Sequence, residues 1–80
     1  MKQEAFEARY APVWEQFEAW VGVLAAGRRG RKDLDEIQRI GREFPALYRQ
    51  VCHHLALARA RRYSSGLQQR LNELALDGHQ

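Results

Sequence analysis

The sequence predicts an all-α fold, a small antiparallel bundle of three to four helices, and two observations support this prediction. Apolar residues recur at spacings of three and four along most of the chain, which is the period of a helix that buries one face. The segments between these stretches are short, which favours antiparallel packing of consecutive helices. We expect a single domain spanning 1–80, with helices at about 3–26, 33–42, 45–63 and 65–77.

The first helix is predicted from an apolar stripe that runs almost its full length. Its members are Phe6, Tyr10, Val13, Phe17, Val21 and Leu24. Pro12 interrupts the helical hydrogen bonding and disfavours helical geometry at the residue before it. Because the stripe continues across Pro12, we expect one helix with a kink there. Gly27 is a typical helix stop.

Two short segments with turn or capping residues separate the remaining helices. Asp33 is a predicted N-cap for the second helix, which Gly41 and Pro45 limit to about three turns. Pro45 also suits the first turn of a third, central helix, which we expect to end near Tyr63. Ser64 or Ser65 then caps a fourth helix whose leucines share one face.

The predicted core combines residues from three of these helices. Its expected members are Phe17, Leu47, Tyr48, Val51, Cys52, Leu55, Leu71 and Leu74. Trp14 and Trp20 are also expected in the core. The chain has two Trp, three Tyr and three Phe, which is a large aromatic content for 80 residues. A homodimer that buries part of this apolar surface is therefore a further expectation.

Length, cysteine content and charge exclude several classes of protein. The longest apolar run, at 21–26, is far below the roughly 20 residues that span a bilayer. The N-terminus lacks the apolar region of a signal peptide. A single cysteine cannot form an internal disulfide, which favours a cytoplasmic environment. The formal net charge is +3, with four cations and no acid in the segment Arg28, Arg29, Arg31 and Lys32.

The residue types that bind metals or act as nucleophiles do not form a recognisable site. Cys52, His53 and His54 are adjacent, and successive side chains on a helix point about 100° apart, so they cannot converge on one ion. The same divergence argues against a Cys-His nucleophilic pair. We expect a buried thiol, with histidines at the surface or at its boundary. The prediction is a non-enzymatic protein without a cofactor or a metal.

The basic segment at 28–32 is the candidate contact for an anionic partner. Its arginines and lysine suit phosphate groups of lipid headgroups or of nucleic acid. The last helix offers Gln68, Gln69, Arg70 and Asn72, which keeps a small stand-alone nucleic-acid-binding protein as the alternative function. Nucleic acid is the less favoured partner because that helix is acidic toward its end.

The segment 47–64, LYRQVCHHLALARARRYS, resembles the N-terminal segment of the stage II sporulation protein M-like family of integral membrane proteins. The matching residues are Leu47, Tyr48, Arg49, Cys52, Leu55, Ala56, Ala58, Arg59, Tyr63, Ser64, Leu71, Asn72, Leu74, Gly78 and His79. The opening, with Phe6, Arg9, Trp14 and Phe17, is also similar. His54 departs from the family pattern, where an acidic residue is usual.

The resemblance implies a cytoplasmic helical segment that precedes several membrane-spanning helices. By this resemblance the chain is a soluble fragment, and the full-length protein lies at the cytoplasmic face of the cell membrane. The implied role is non-enzymatic contact with a protein partner, with the protein's own membrane region or with anionic lipid headgroups. Tyr48, Arg49 and Arg59 are expected to organise the bundle.

Overall fold

The computed structural model describes residues 2–27 and 34–79 and contains three helices in that part of the chain. They are α1 (Gln3–Gly27), α2 (Leu34–Ala60) and α3 (Ser65–His79). α2 packs against both other helices, and no strand is present in the described residues. The predicted all-α small bundle is confirmed.

The predicted break between residues 42 and 45 is wrong, because α2 continues through Pro45 as one helix of 27 residues. A proline inside a helix removes the hydrogen bond to the carbonyl four residues earlier, here that of Gly41. Pro45 and Gly41 are both exposed. Pro45 therefore lies outside the buried side of α2, and the buried residues of that side continue past it; they are Ile40, Val51, His54, Leu55 and Ala58. Pro12 is also exposed, and α1 likewise continues through it.

α2 ends at Ala60, three residues before the predicted end at Tyr63. The N–H of Tyr63 donates to the carbonyl of Ala58 at 3.0 Å, and that of Arg62 donates to the carbonyl of Arg59 at 3.1 Å. This pair of bonds is a Schellman motif, which requires a left-handed residue just after the helix. Arg62 occupies that position with φ 56°.

Ser64 caps α3 and also joins it to the start of α1. The Ser64 hydroxyl accepts a hydrogen bond from the N–H of Leu67 at 3.3 Å, as an N-cap does. The side-chain oxygen of Gln3 accepts from the N–H of Ser64 at 2.7 Å, and the Gln3 amide donates to the Ser64 hydroxyl at 3.0 Å. The first turns of α1 and α3 therefore lie side by side.

The core lies between the three helices and is aromatic on the α1 side. Its buried apolar residues are Phe6, Trp14, Phe17, Val51, Leu55, Ala58, Leu67, Leu71 and Leu74. Of the predicted core residues, Leu47, Tyr48 and Cys52 are only half-buried. Phe17 stacks on Phe44 of α2, with 4.9 Å between ring centroids.

α3 is much shorter than the helices on which it packs. It has 15 residues, against 25 in α1 and 27 in α2. Its last turn contacts Phe17 and Tyr48: a Cβ added at Gly78 would come within 2.4 Å of the Phe17 ring and 2.8 Å of the Tyr48 ring. Residue 78 must be glycine for α3 to approach so closely. Toward the other end of α1 and α2, these two helices pack as a hairpin on which α3 does not lie.

Candidate functional site

His54 is buried at the α1–α2 interface, whereas the sequence predicted a surface or boundary histidine. The side chain is 4% exposed. The indole N–H of Trp14 donates a hydrogen bond to Nδ1 of His54 at 2.9 Å. Nδ1 therefore carries no proton, and the neutral imidazole carries its proton on Nε2. This is the buried polar contact that joins α1 to α2.

Aromatic rings enclose this hydrogen bond on the α1 side. The Tyr10 ring lies against the imidazole with 4.2 Å between centroids, and the Phe6 ring meets it edge-on at 5.9 Å. Phe6 also contacts the Tyr63 ring, at 5.1 Å. These rings replace water around His54 with apolar atoms, which disfavours the imidazolium form.

The environment of His54 lowers its pKa from the usual 6.5, mainly because burial penalises the charged form. The charge of the neighbouring His53 adds to this effect. Protonation would place a proton on Nδ1, the atom that accepts the Trp14 N–H. The neutral form is thus the one that the hydrogen bond requires.

Cys52 is half-buried and makes its polar contact with Tyr48, one turn earlier on α2. The hydrogen bond between the two side chains raises the pKa of the Tyr48 hydroxyl, and burial raises it further. His53 is exposed, and its ring centroid lies 6.3 Å from that of His54. Within residues 2–27 and 34–79, no three histidine, cysteine or acidic side chains are grouped as a metal ion requires.

Two further polar contacts join α3 to the other helices. The Arg59 guanidinium donates to Oδ1 of Asn72 at 3.3 Å, which connects α2 to α3. The Arg70 guanidinium pairs with a Glu18 carboxylate oxygen at 3.4 Å and lies 5.4 Å from the Trp14 ring centroid. Arg59 therefore contributes an exposed contact between α2 and α3. Arg49 is exposed on α2.

A shallow groove of about 380 Å³ lies between α1 and α3 beside this ion pair. It is lined by Glu18, Arg70, Glu73, Leu74, Leu76 and Asp77. Leu76 is 56% exposed at its edge. The carboxylates are spread along the rim, and the one cation of the lining is already paired with Glu18.

The predicted anionic-partner contacts Arg28, Arg29, Arg31 and Lys32 lie outside the described residues. What sequence reasoning missed is the burial of His54. The available signal was its position three residues after Val51 and four before Ala58, on the apolar side of α2.

In the described part of the chain, every helix is too short or too polar to cross a membrane. No curated protein and no solved structure matches the chain. A family described as a domain of unknown function, DUF8413, matches residues 4–80. This match covers almost the whole sequence, and the chain belongs to that family.

Proposed function

We propose that the chain is a non-enzymatic helical interaction domain of a stage II sporulation protein M-like membrane protein. In this proposal it lies at the cytoplasmic face of the membrane and contacts a protein partner or the protein's own membrane-spanning region. The observation that supports it best is the length difference between α3 and the α1–α2 hairpin. That difference leaves part of an apolar helix pair beyond the end of α3.

The positions that carry the family resemblance also support a packing role. Tyr48 and Gly78 are in contact, and Arg59 donates a hydrogen bond to Asn72. These residues join helices to one another. They are the parts of a scaffold that holds a surface in shape, which is what an interaction domain requires.

The proposal is tested by fractionating source cells and detecting the segment with an antibody. We expect a band well above 9.3 kDa in the membrane pellet, which detergent releases and high salt does not. Resistance to salt separates an integral protein from one held by surface charge, because surface ion pairs weaken as ionic strength rises. A 9.3 kDa band in the supernatant would contradict the proposal.

A further inference from the structure

The surface of α2 that packs against α3 continues along α2 beyond the point where α3 ends. α3 reaches Phe17 and Tyr48 through Gly78. One turn farther, the same faces of α1 and α2 present Val21 and Phe44, since residues four apart share a helix face.

We call this surface the open face and define it as Val21 on α1 with Leu34, Ile37, Gly41 and Phe44 on α2. The four α2 residues and Tyr48 follow the 3, 4, 3, 4 spacing of a helix-packing seam. Leu34 is 66% exposed, and among the described residues no atom lies within 4 Å of a Cβ added at Gly41. The seam residues are apolar or glycine, and no residue in the described part of the chain fills the space over Gly41.

We propose that the open face binds an amphipathic helix of a partner, which lies end to end with α3 and has a leucine seam and an acidic edge. This inference rests on the proposed function of the chain as an interaction domain. The length of the open face fits such a helix: residues 34–47 of α2 span about 20 Å, or four helical turns. Helix-in-groove binding of this kind uses apolar anchors spaced three and four residues apart.

The leucine seam of the partner is inferred from α3. This helix covers the part of the α1–α2 surface that adjoins the open face. α3 packs through Leu67, Leu71 and Leu74, all buried. A partner helix with leucines at the spacing of those in α3 meets the same type of surface. The reason is that Ile37, Phe44 and Tyr48 lie along one face of α2. Gly41 gives such a helix room to approach closely in the middle of the seam.

The acidic edge is inferred from the charges along the two sides of the open face. Asp35, Arg42 and Arg49 directly follow Leu34, Gly41 and Tyr48 on α2, and all three are exposed. Residues 19–26 of α1 contain no charged side chain. The α2 side thus has two cations toward α3 and one acid at its far end, and the α1 side is uncharged, so carboxylates of the partner belong beside Arg42 and Arg49. On α3, an acceptor, Asn72, already contacts an arginine of α2.

The test uses a synthetic 21-residue helical peptide with leucines at heptad spacing and glutamates along one edge. A matched peptide carries lysines in place of the glutamates. Binding of each fluorescently labelled peptide to the full chain is measured by anisotropy. We expect the acidic peptide to bind at least tenfold more tightly than the lysine peptide, with a difference that shrinks as salt is added.

Variants of the chain assign the binding to the open face. Ile37→Glu is expected to weaken binding of the acidic peptide at least tenfold. Leu76→Glu, at an exposed leucine outside the open face, is expected to leave that binding unchanged. If Ile37→Glu does not fold, the double variant Arg42→Glu/Arg49→Glu, in which both substituted residues are exposed, provides the test. This variant should bind the lysine peptide more tightly than the acidic peptide. Equal binding of both peptides, or no response to these changes, would overturn the proposal.

Sedimentation equilibrium of the chain alone tests whether a second copy of the chain covers the open face. A mass of twice 9.3 kDa that Leu34→Glu, and not Leu76→Glu, returns to the monomer value would show that a second copy covers the open face. That result would overturn the partner helix. The cell-fractionation result is independent of these measurements, so failure of this inference and failure of the proposed function are distinguishable.

Discussion

The indole N–H of Trp14 and Nδ1 of His54 are 2.9 Å apart across the α1–α2 interface, and both side chains are buried. A bond in this position fixes the rotation of both helices relative to each other. It also connects the packing of the bundle to the protonation state of one imidazole. The stability of the bundle should therefore depend on pH through His54.

We expect the free energy of unfolding to fall as pH decreases below 6.5. The pKa of His54 is lowered in the folded state from the usual 6.5, so the unfolded chain binds the proton more readily. The contribution is fully present above 6.5 and is lost on acidification toward the folded-state pKa, by at most about 1.4 kcal/mol per pH unit. Urea unfolding followed by circular dichroism between pH 7.5 and about 5.5 measures this slope.

Two variants isolate His54 as the source of the slope. His54→Gln keeps a hydrogen-bond acceptor and cannot titrate, so its stability should vary much less over that pH range. His53→Gln, at the exposed neighbouring position, should retain most of the slope. An equal slope in wild type and His54→Gln would mean that other groups cause the pH dependence.

Trp14→Phe should destabilise the bundle by about 1–3 kcal/mol, because it removes the N–H that satisfies a buried acceptor and leaves a partly filled space. It should also reduce the pH slope, since Nδ1 of His54 can then accept a proton without losing a partner. Combining Trp14→Phe with His54→Gln in a double-mutant cycle measures the coupling between the two side chains. Strict additivity would show that the hydrogen bond contributes nothing beyond packing.

Gly78→Ala should destabilise the bundle by about 1–3 kcal/mol, since the added methyl group would overlap the Phe17 and Tyr48 rings. Gly22→Ala is the matched control on α1, where a Cβ meets no atom of residues 2–27 and 34–79 within 4 Å. There we expect stabilisation by about 0.5–1 kcal/mol from helix propensity. The two variants should thus shift the urea midpoint in opposite directions. A stabilising Gly78→Ala would show that α3 approaches α1 and α2 less closely.

Arg62→Gly should stabilise the bundle by about 0.5–1 kcal/mol, because Arg62 has a left-handed backbone that side chains disfavour and that glycine adopts freely. The Schellman hydrogen bonds of Tyr63 and Arg62 do not need a side chain at residue 62. Arg61→Gly is the control, since nothing at residue 61 requires glycine. Equal effects of the two changes on the urea midpoint would contradict this explanation.

The apolar periodicity of the sequence was sufficient to predict the fold class and all six ends of the observed helices to within three residues. It failed at Pro45, where local propensity indicated a break. Pro45 and Gly41 are both exposed, so the proline does not interrupt the buried side of α2, and packing of that side outweighs the local cost. Whether a proline faces water or the core depends on the neighbouring helices, and those are not visible in a window of a few residues.

The role of His54 was not predictable for a related reason. A histidine on an apolar helix face is stable only if a partner satisfies its ring nitrogen. That partner, Trp14, lies 40 residues earlier on another helix. In the sequence, Trp14 was predicted only as an apolar core residue. Its N–H can donate to His54 only when α1 and α2 are rotated so that the two side chains face each other. The open face was not predictable either, because it depends on α2 being longer than α3. The sequence predicted two shorter helices where the structure has α2.

The contact between Gln3 and Ser64 spans 61 residues, and it has a consequence for the order of folding. α1 and α2 can pair early, whereas the contact at the start of α1 waits for the turn before α3. Chain closure over such a separation costs entropy that shorter contacts avoid. During synthesis, the first turn of α1 therefore remains without this partner until Ser64 emerges. That turn should be the last part of α1 to gain protection from hydrogen exchange.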